Sequence, residues 1–199
     1  MKDKYILTAE SVTAGHPDKL CDTIADSILD ACLKDDPNAR VACEVLATAG
    51  KILVAGELRT TASPDVEAIV RQTVQKGGYD CNYNVEVRLH TQSPDIAGAV
   101  DGDTLGAGDQ GIMYGYACWE TVELLPAPVV LANRITSLLT TCREEKLISG
   151  IGPDGKAQVS VQYAFGVPER VDTIVISCQH DADKDPDELR EELRRLVID

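Results

Sequence analysis

After Pro17, the apolar residues Leu20, Ile24 and Ile28 recur every four positions, a spacing that lines one face of an α-helix and predicts such a helix to about Leu33. Tyr5 to Thr8, ahead of it, reads as a short strand. Val41, Cys43 and Val45 then alternate with Ala42, Glu44 and Leu46. Thr48-Ala49-Gly50 turns the chain into Ile52 to Leu58, and the two runs predict a hairpin. Ser63 as cap and Pro64 as first residue start a second helix with Val66, Ile69, Val70 and Val74 on one face, ended by Gly77-Gly78. Val85 to Leu89 gives a further β segment.

The same order then recurs. Ile112 to Ala117 reads as a strand, and Pro126 and Pro128 lead a helix with Leu131, Ile135, Leu138, Leu139 and Cys142 on one face. Val159, Val161, Tyr163 and Phe165 alternate with small or polar residues, Gly166 to Glu169 turns, and Val171 to Cys178 returns as a second hairpin. Asp185-Pro186-Asp187-Glu188 has the form of a helix start, ahead of Leu189, Leu193 and Leu196. Two copies of strand, helix, hairpin and helix predict an α+β fold of two similar repeats, each an antiparallel sheet with helices on one face. The expected domains are 1–98 and 110–199, joined by a linker at 99–109. Gln92 to Gln110 as a whole is rich in glycine and aspartate and poor in large apolar residues, the composition of a long loop that can serve as a lid.

Charge narrows the partners. With 33 acidic and 19 basic residues the net charge is −14, which argues against DNA or RNA and leaves a polyanionic ligand dependent on metal ions and local lysines. No apolar run reaches the length of a membrane span, and Met1-Lys2-Asp3-Lys4 lacks the apolar core of a signal peptide, so a cytoplasmic protein is expected. Seven cysteines without a C-x-x-C pair, mostly within apolar patterns, predict buried free thiols and no zinc site or disulfide frame.

Gly15-His16-Pro17-Asp18-Lys19 places an imidazole, a carboxylate and an ammonium at a helix N-terminus, where free N–H groups and the dipole favour anions. That fits a phosphate or Mg²⁺ site, although by itself such a pentapeptide is more often a capped helix start with solvated charges. Glu44 and Glu57 are acids inside apolar strands and need partners there unless they face outward. Asp109 sits among glycines that allow close approach of a ligand, and Asp154-Gly155-Lys156 reads by itself as a hairpin turn carrying two charges.

Ten motifs follow one another in order: Glu10-Ser11-Val12, Gly15 to Lys19, Val41-Ala42-Cys43-Glu44, Gly56-Glu57, Gln92-Ser93-Pro94-Asp95-Ile96, Gly106-Ala107-Gly108-Asp109-Gln110-Gly111, Pro126-Ala127-Pro128, Pro153-Asp154-Gly155-Lys156, Gln162-Tyr163 and Gln179-His180. This succession resembles the S-adenosylmethionine synthetase family and covers essentially all 199 residues. The resemblance implies a transferase that joins ATP and L-methionine, the thioether sulfur attacking the ribose 5′ carbon and expelling triphosphate, which is then hydrolysed to phosphate and pyrophosphate. It implies Mg²⁺ and K⁺ as cofactors. His16, Lys156 and Asp109 become catalytic candidates, with His16, Lys19, Asp154, Gly155 and Lys156 at ATP and its phosphates. Glu57, Gln92 and Asp109 become methionine contacts, Asp18 a Mg²⁺ ligand, Glu44 a K⁺ ligand, and Glu10 a weaker candidate.

The family carries a third repeat with an Arg- and Lys-rich cluster, and this sequence has no such repeat. The stretch from Tyr79 to Asp109 is also shorter than is usual in the family, which bears on the length and closure of the gate loop. The expected protein is therefore a fragment or one chain of a split enzyme, completed by a separate chain that carries the third repeat. The alternatives are a catalytically silent nucleotide- or methionine-binding scaffold, and a minimal enzyme that completes its site from a second copy. A homodimer or higher homo-oligomer is expected to cover the sheet faces left open by one-sided helices.

Overall fold

Leu20, Ile24, Ile28 and Cys32 form the buried stripe of the first helix, one residue every four, so the element read from that period is present. The computed structural model describes residues 4–80, 82–91 and 111–198. Its elements in order are β1 (Lys4–Val12), α1 (Pro17–Asp35), β2 (Arg40–Thr48), β3 (Lys51–Arg59), α2 (Val66–Lys76), β4 (Asn84–Thr91), α3 (Ala127–Glu144), β5 (Ile151–Ala164), β6 (Val167–His180) and α4 (Pro186–Leu193), closed by a π-helical turn, Arg194–Ile198. The fold is α+β.

Two compact units divide it: residues 17–114 form one, and residues 1–16 with 115–199 form the other. In the first, β2, β3 and β4 make a sheet in that order, and Ile52 and Val54 are fully buried against the apolar faces of α1 and α2. β2 and β3 are antiparallel, but β4 runs parallel to β3, so the sheet is mixed and not the antiparallel one expected. The reason is local: α2 stands between β3 and β4 and returns the chain to the same end of the sheet, as a β-α-β crossover does. Asp65, and not Ser63, caps α2, its carboxylate accepting from the Ala68 amide at 3.0 Å.

The second unit is built from distant pieces of sequence. β1 pairs antiparallel with β5 from Lys4 opposite Ala164 to Val12 opposite Lys156, and β6 flanks β5 on the other side. The N-terminal strand therefore completes the sheet of the second repeat, not that of its own. Ala132, Ile135 and Leu139 of α3 pack on Ala157, Val159, Val161 and Tyr163 of β5. Tyr5 stacks on Tyr163 with ring centroids 5.2 Å apart. The Tyr163 hydroxyl donates to Glu120 at 2.5 Å, and the same carboxylate oxygen accepts from the Ala127 amide at 2.9 Å, supplying the cap that Pro126 cannot give to α3.

Three further expectations change. Ile112 to Ala117 is not a strand; no ladder partner lies beside it among the described residues, and Ile112, Met113, Tyr114 and Tyr116 are exposed. The second hairpin turns at Phe165-Gly166, both at positive φ, and β6 starts at Val167, ahead of the expected turn's end at Glu169. Of the six described cysteines, all free, Cys32 and Cys142 are buried while Cys21, Cys43, Cys118 and Cys178 are only partly so. Among the described residues no helix is long and apolar enough to cross a membrane.

Candidate functional site

Thr13 ties the segment after β1 to the start of β5. Its amide donates to the Gly155 carbonyl at 2.9 Å and its hydroxyl to the Pro153 carbonyl at 2.7 Å. Gly15 lies so close to Pro153 that a Cβ there would sit 2.5 Å from the proline carbonyl oxygen, so only glycine lets the two segments approach. His16 follows directly, its amide donating back to the Thr13 carbonyl at 3.1 Å. The result is a pocket of 430 Å³ lined by His16, Asp154, Gly155, Lys156, Ser177, Cys178 and Gln179.

Four of the five residues that the sequence assigned to ATP are therefore brought together, although His16 and Lys156 are far apart in the chain. Lys156 lies opposite Val12 in the ladder, and its ammonium is 4.0 Å from the Glu10 carboxylate, with both side chains partly open to water. That distance and exposure make a weak pair, one that a phosphate can displace. The Gln179 side-chain oxygen accepts from the Asp154 amide at 3.2 Å, and Gly152 leaves no room for a Cβ beside that side chain. Ser177, Cys178 and Gln179 had no assigned role from sequence. Strand pairing exposes them: Cys178 lies opposite Gly155 and Ser177 opposite Lys156. The Gln179-His180 motif was the one available signal. Burial pushes the Cys178 thiol pKa above its ordinary value, which disfavours a reactive thiolate.

The remaining candidates lie in residues 17–114 or outside the described residues. Asp18 is exposed in the first turn of α1, and Lys19 beside it reaches Asp22 at 3.6 Å. Glu44 faces Ala55 across the β2–β3 ladder and Glu57 faces Ala42, so the two acids are diagonal neighbours on the face turned away from the helices. Glu57 also lies beside His90 in the parallel ladder. Gly56 has φ +143°, and a Cβ on it would meet the Ala42 carbonyl oxygen at 2.0 Å, so the backbone that presents Glu57 needs glycine. Gln92 and Asp109 lie outside the described residues.

Among the described residues no group of three or more His, Cys, Asp or Glu side chains could cage a metal. Asp18 nevertheless fits Mg²⁺, which is ordinarily held by one or two carboxylates together with substrate phosphates. Glu44 stands between Ala42 and Leu46 along its strand with Glu57 diagonal to it on the same face, and its carboxylate offers oxygen ligands of the kind K⁺ takes.

Comparison with known proteins bears on the whole chain. The family model described as S-adenosylmethionine synthetase, N-terminal domain, matches residues 4–102, and that described as S-adenosylmethionine synthetase, central domain, matches residues 104–199. The S-adenosylmethionine synthase of a Nitratiruptor species is 47% identical over 208 residues, covering 100% of this chain and 54% of its own length. That of Finegoldia magna is 45% identical over 212 residues, covering 96% of this chain and 54% of its own length. That of Prochlorococcus marinus (strain NATL1A) is 45% identical over 212 residues, covering 98% and 52%. The chain spans about half the length of the curated relatives it matches.

Proposed function

Because the chain belongs to the S-adenosylmethionine synthetase family, we propose that it contributes the triphosphate- and methionine-binding parts of a methionine adenosyltransferase site. The observation that carries this reading is the gathering of His16, Asp154, Gly155 and Lys156 around one pocket. In the reaction a sulfur–carbon bond forms at the ribose 5′ carbon while the carbon–oxygen bond to triphosphate breaks, and the electron pair leaves with the triphosphate. A thioether carries no proton to remove, so the demand on the protein is alignment of the two reactants and stabilisation of the departing charge.

His16 then acts by donating a hydrogen bond to the leaving oxygen, and Lys156 by giving up Glu10 for a phosphate. Asp154 and Gly155 position the nucleotide, and Lys19 adds a further charge at phosphate. Glu57, Gln92 and Asp109 are assigned to methionine. Asp18 would hold Mg²⁺ together with the phosphates, and the ion supplies charge neutralisation there. One lysine and one histidine in the pocket of a −14 chain are few cations against a triphosphate. Full turnover accordingly calls for further basic residues beyond those of this pocket. The open sheet faces, with Leu46 and Ile6 exposed on them, are assigned to a homodimer.

The test is calorimetric titration of the chain with ATP and Mg²⁺, followed by assay of S-adenosylmethionine and phosphate with methionine and K⁺ present. Binding of one ATP, weakened about tenfold by Lys156→Ala and by Asp18→Asn, is expected from loss of one charged contact. Equal binding by these variants and the parent chain, or none by any of them, would overturn the reading.

A further inference from the structure

A second cavity, of 660 Å³, lies between β6 and the α4 helix with its π-turn. Ile174 and Ile176 of the strand and Leu189 and Leu193 of the helix give it an apolar lining, and its volume falls in the range of small-molecule sites. Its polar lining is one-sided in charge. Arg190, Arg194 and His180 contribute, and among the described residues no Asp or Glu does, although acids outnumber bases 33 to 19 in the chain. Arg190 holds Asp187 at 2.7 Å, but both side chains are largely in water, so that pair is weak and exchangeable. Arg194 lines the groove beside Leu193 and Ile198. His180 gives its Nδ1 proton to the Asp181 carbonyl at 2.9 Å, which leaves Nε2 for another contact.

We propose that this groove binds a small amphipathic anion, a chain or ring of about ten carbons ending in a carboxylate or sulfonate, with its apolar body on the Ile174–Leu193 side and its head at Arg194 and Arg190. Apolar lining alone would accept any oily molecule. The guanidinium pair selects the anion, since a neutral head would lose the charge-assisted bonds and keep only the burial. The site is separate from the nucleotide pocket but backs onto it. Cys178 lines both cavities, so an occupant lies against the strand that presents Ser177 and Gln179 to the other side.

The chain is titrated with 8-anilinonaphthalene-1-sulfonate and then with decanoate as competitor, decanol being the neutral chain of equal length. One displaceable probe per chain is expected, with decanol competing at least tenfold more weakly and Arg190→Glu/Arg194→Glu weakening decanoate at least tenfold. Trp119→Ser, at an exposed side chain outside the groove, leaves the competition unchanged. Decanoate also slows alkylation of Cys178 by N-ethylmaleimide, read by peptide mass spectrometry, and does not slow that of Cys118. Circular dichroism confirms that the arginine variant is folded. Equal competition by decanol, full probe binding by the folded arginine variant, or probe lost with Trp119→Ser overturns the proposal.

Discussion

The pocket around Lys156 and the open face around Glu57 are built in opposite ways. The pocket is closed by contacts between segments remote in sequence: Thr13 and Gly15 press onto Pro153, and Gln179 grips Asp154. The face is a run of ordinary strand alternation, Glu44 and Glu57 standing on the side that the helices do not cover. Charge in the first is held by packing, and charge in the second stands on a regular surface that awaits another one. A glycine does separate work in each: Gly15 permits two segments to touch, and Gly56 permits a backbone conformation.

The comparison breaks most visibly at those glycines. Gly56→Ala forces a Cβ onto the Ala42 carbonyl at a positive φ, and urea unfolding followed by hydrogen exchange in β2–β4 should show a loss of about 2–4 kcal/mol. Gly15→Ala should leave the β2–β4 amides as protected as before and weaken ATP binding at least tenfold by calorimetry, because the segment that carries His16 is pushed away from Pro153. If Gly15→Ala binds ATP normally, close approach is not what forms the pocket.

Tyr163→Phe sharpens the same contrast inside the pocket unit. It removes the bond to Glu120 and should cost about 1–2 kcal/mol in urea unfolding. Burial, then the hydrogen bond and charge of Glu120, push the Tyr163 phenol well above the ordinary tyrosine range. The folded chain thus keeps a proton that the unfolded chain releases from about pH 10 upward. This contribution is complete below that pH and is lost as pH rises, so the parent chain should lose stability above pH ~10 more steeply than the phenylalanine variant. The smallest effect falls on the helix caps. Asp185 accepts from the amides of Asp187 and Glu188 and Asp65 from that of Ala68, so Asp185→Ala should lower Tm by about 2–4 °C and Asp65→Ala by less. The amides of Glu188 and Asp187 hold the Asp185 carboxyl below its usual range. Its contribution is present above the ordinary carboxylate pKa and fades as pH falls through the lower folded value, so the Tm gap should close in strong acid.

Most elements were legible because each repeats an apolar residue at a period that one backbone conformation satisfies, as Leu20, Ile24 and Ile28 do. Pairing was not, since period says which face is buried and nothing of the neighbour. Nothing in Tyr5 to Thr8 announces β5 as its partner. The parallel β3–β4 pair was signalled by the helix between two strands, and reading the repeat as hairpins obscured it. Ile112 to Ala117 shows the converse error, an apolar run with no strand beside it among the described residues to make a ladder. At the site, His16 and Lys156 were found through their motifs, whereas Ser177 and Cys178 owe their place to strand register, which no local pattern carries.

The distance between β1 and its partner also sets a timetable. Thr8 and Ser160, joined by a side-chain hydrogen bond, are 152 residues apart, so a ribosome elongating at about 5–20 residues per second leaves the first strand waiting roughly 8–30 s for its mate. Residues 17–114 emerge within that interval. During synthesis the nascent chain therefore carries an unpaired strand with Ile6 and Leu7 uncovered, a natural target for a chaperone that holds extended apolar segments.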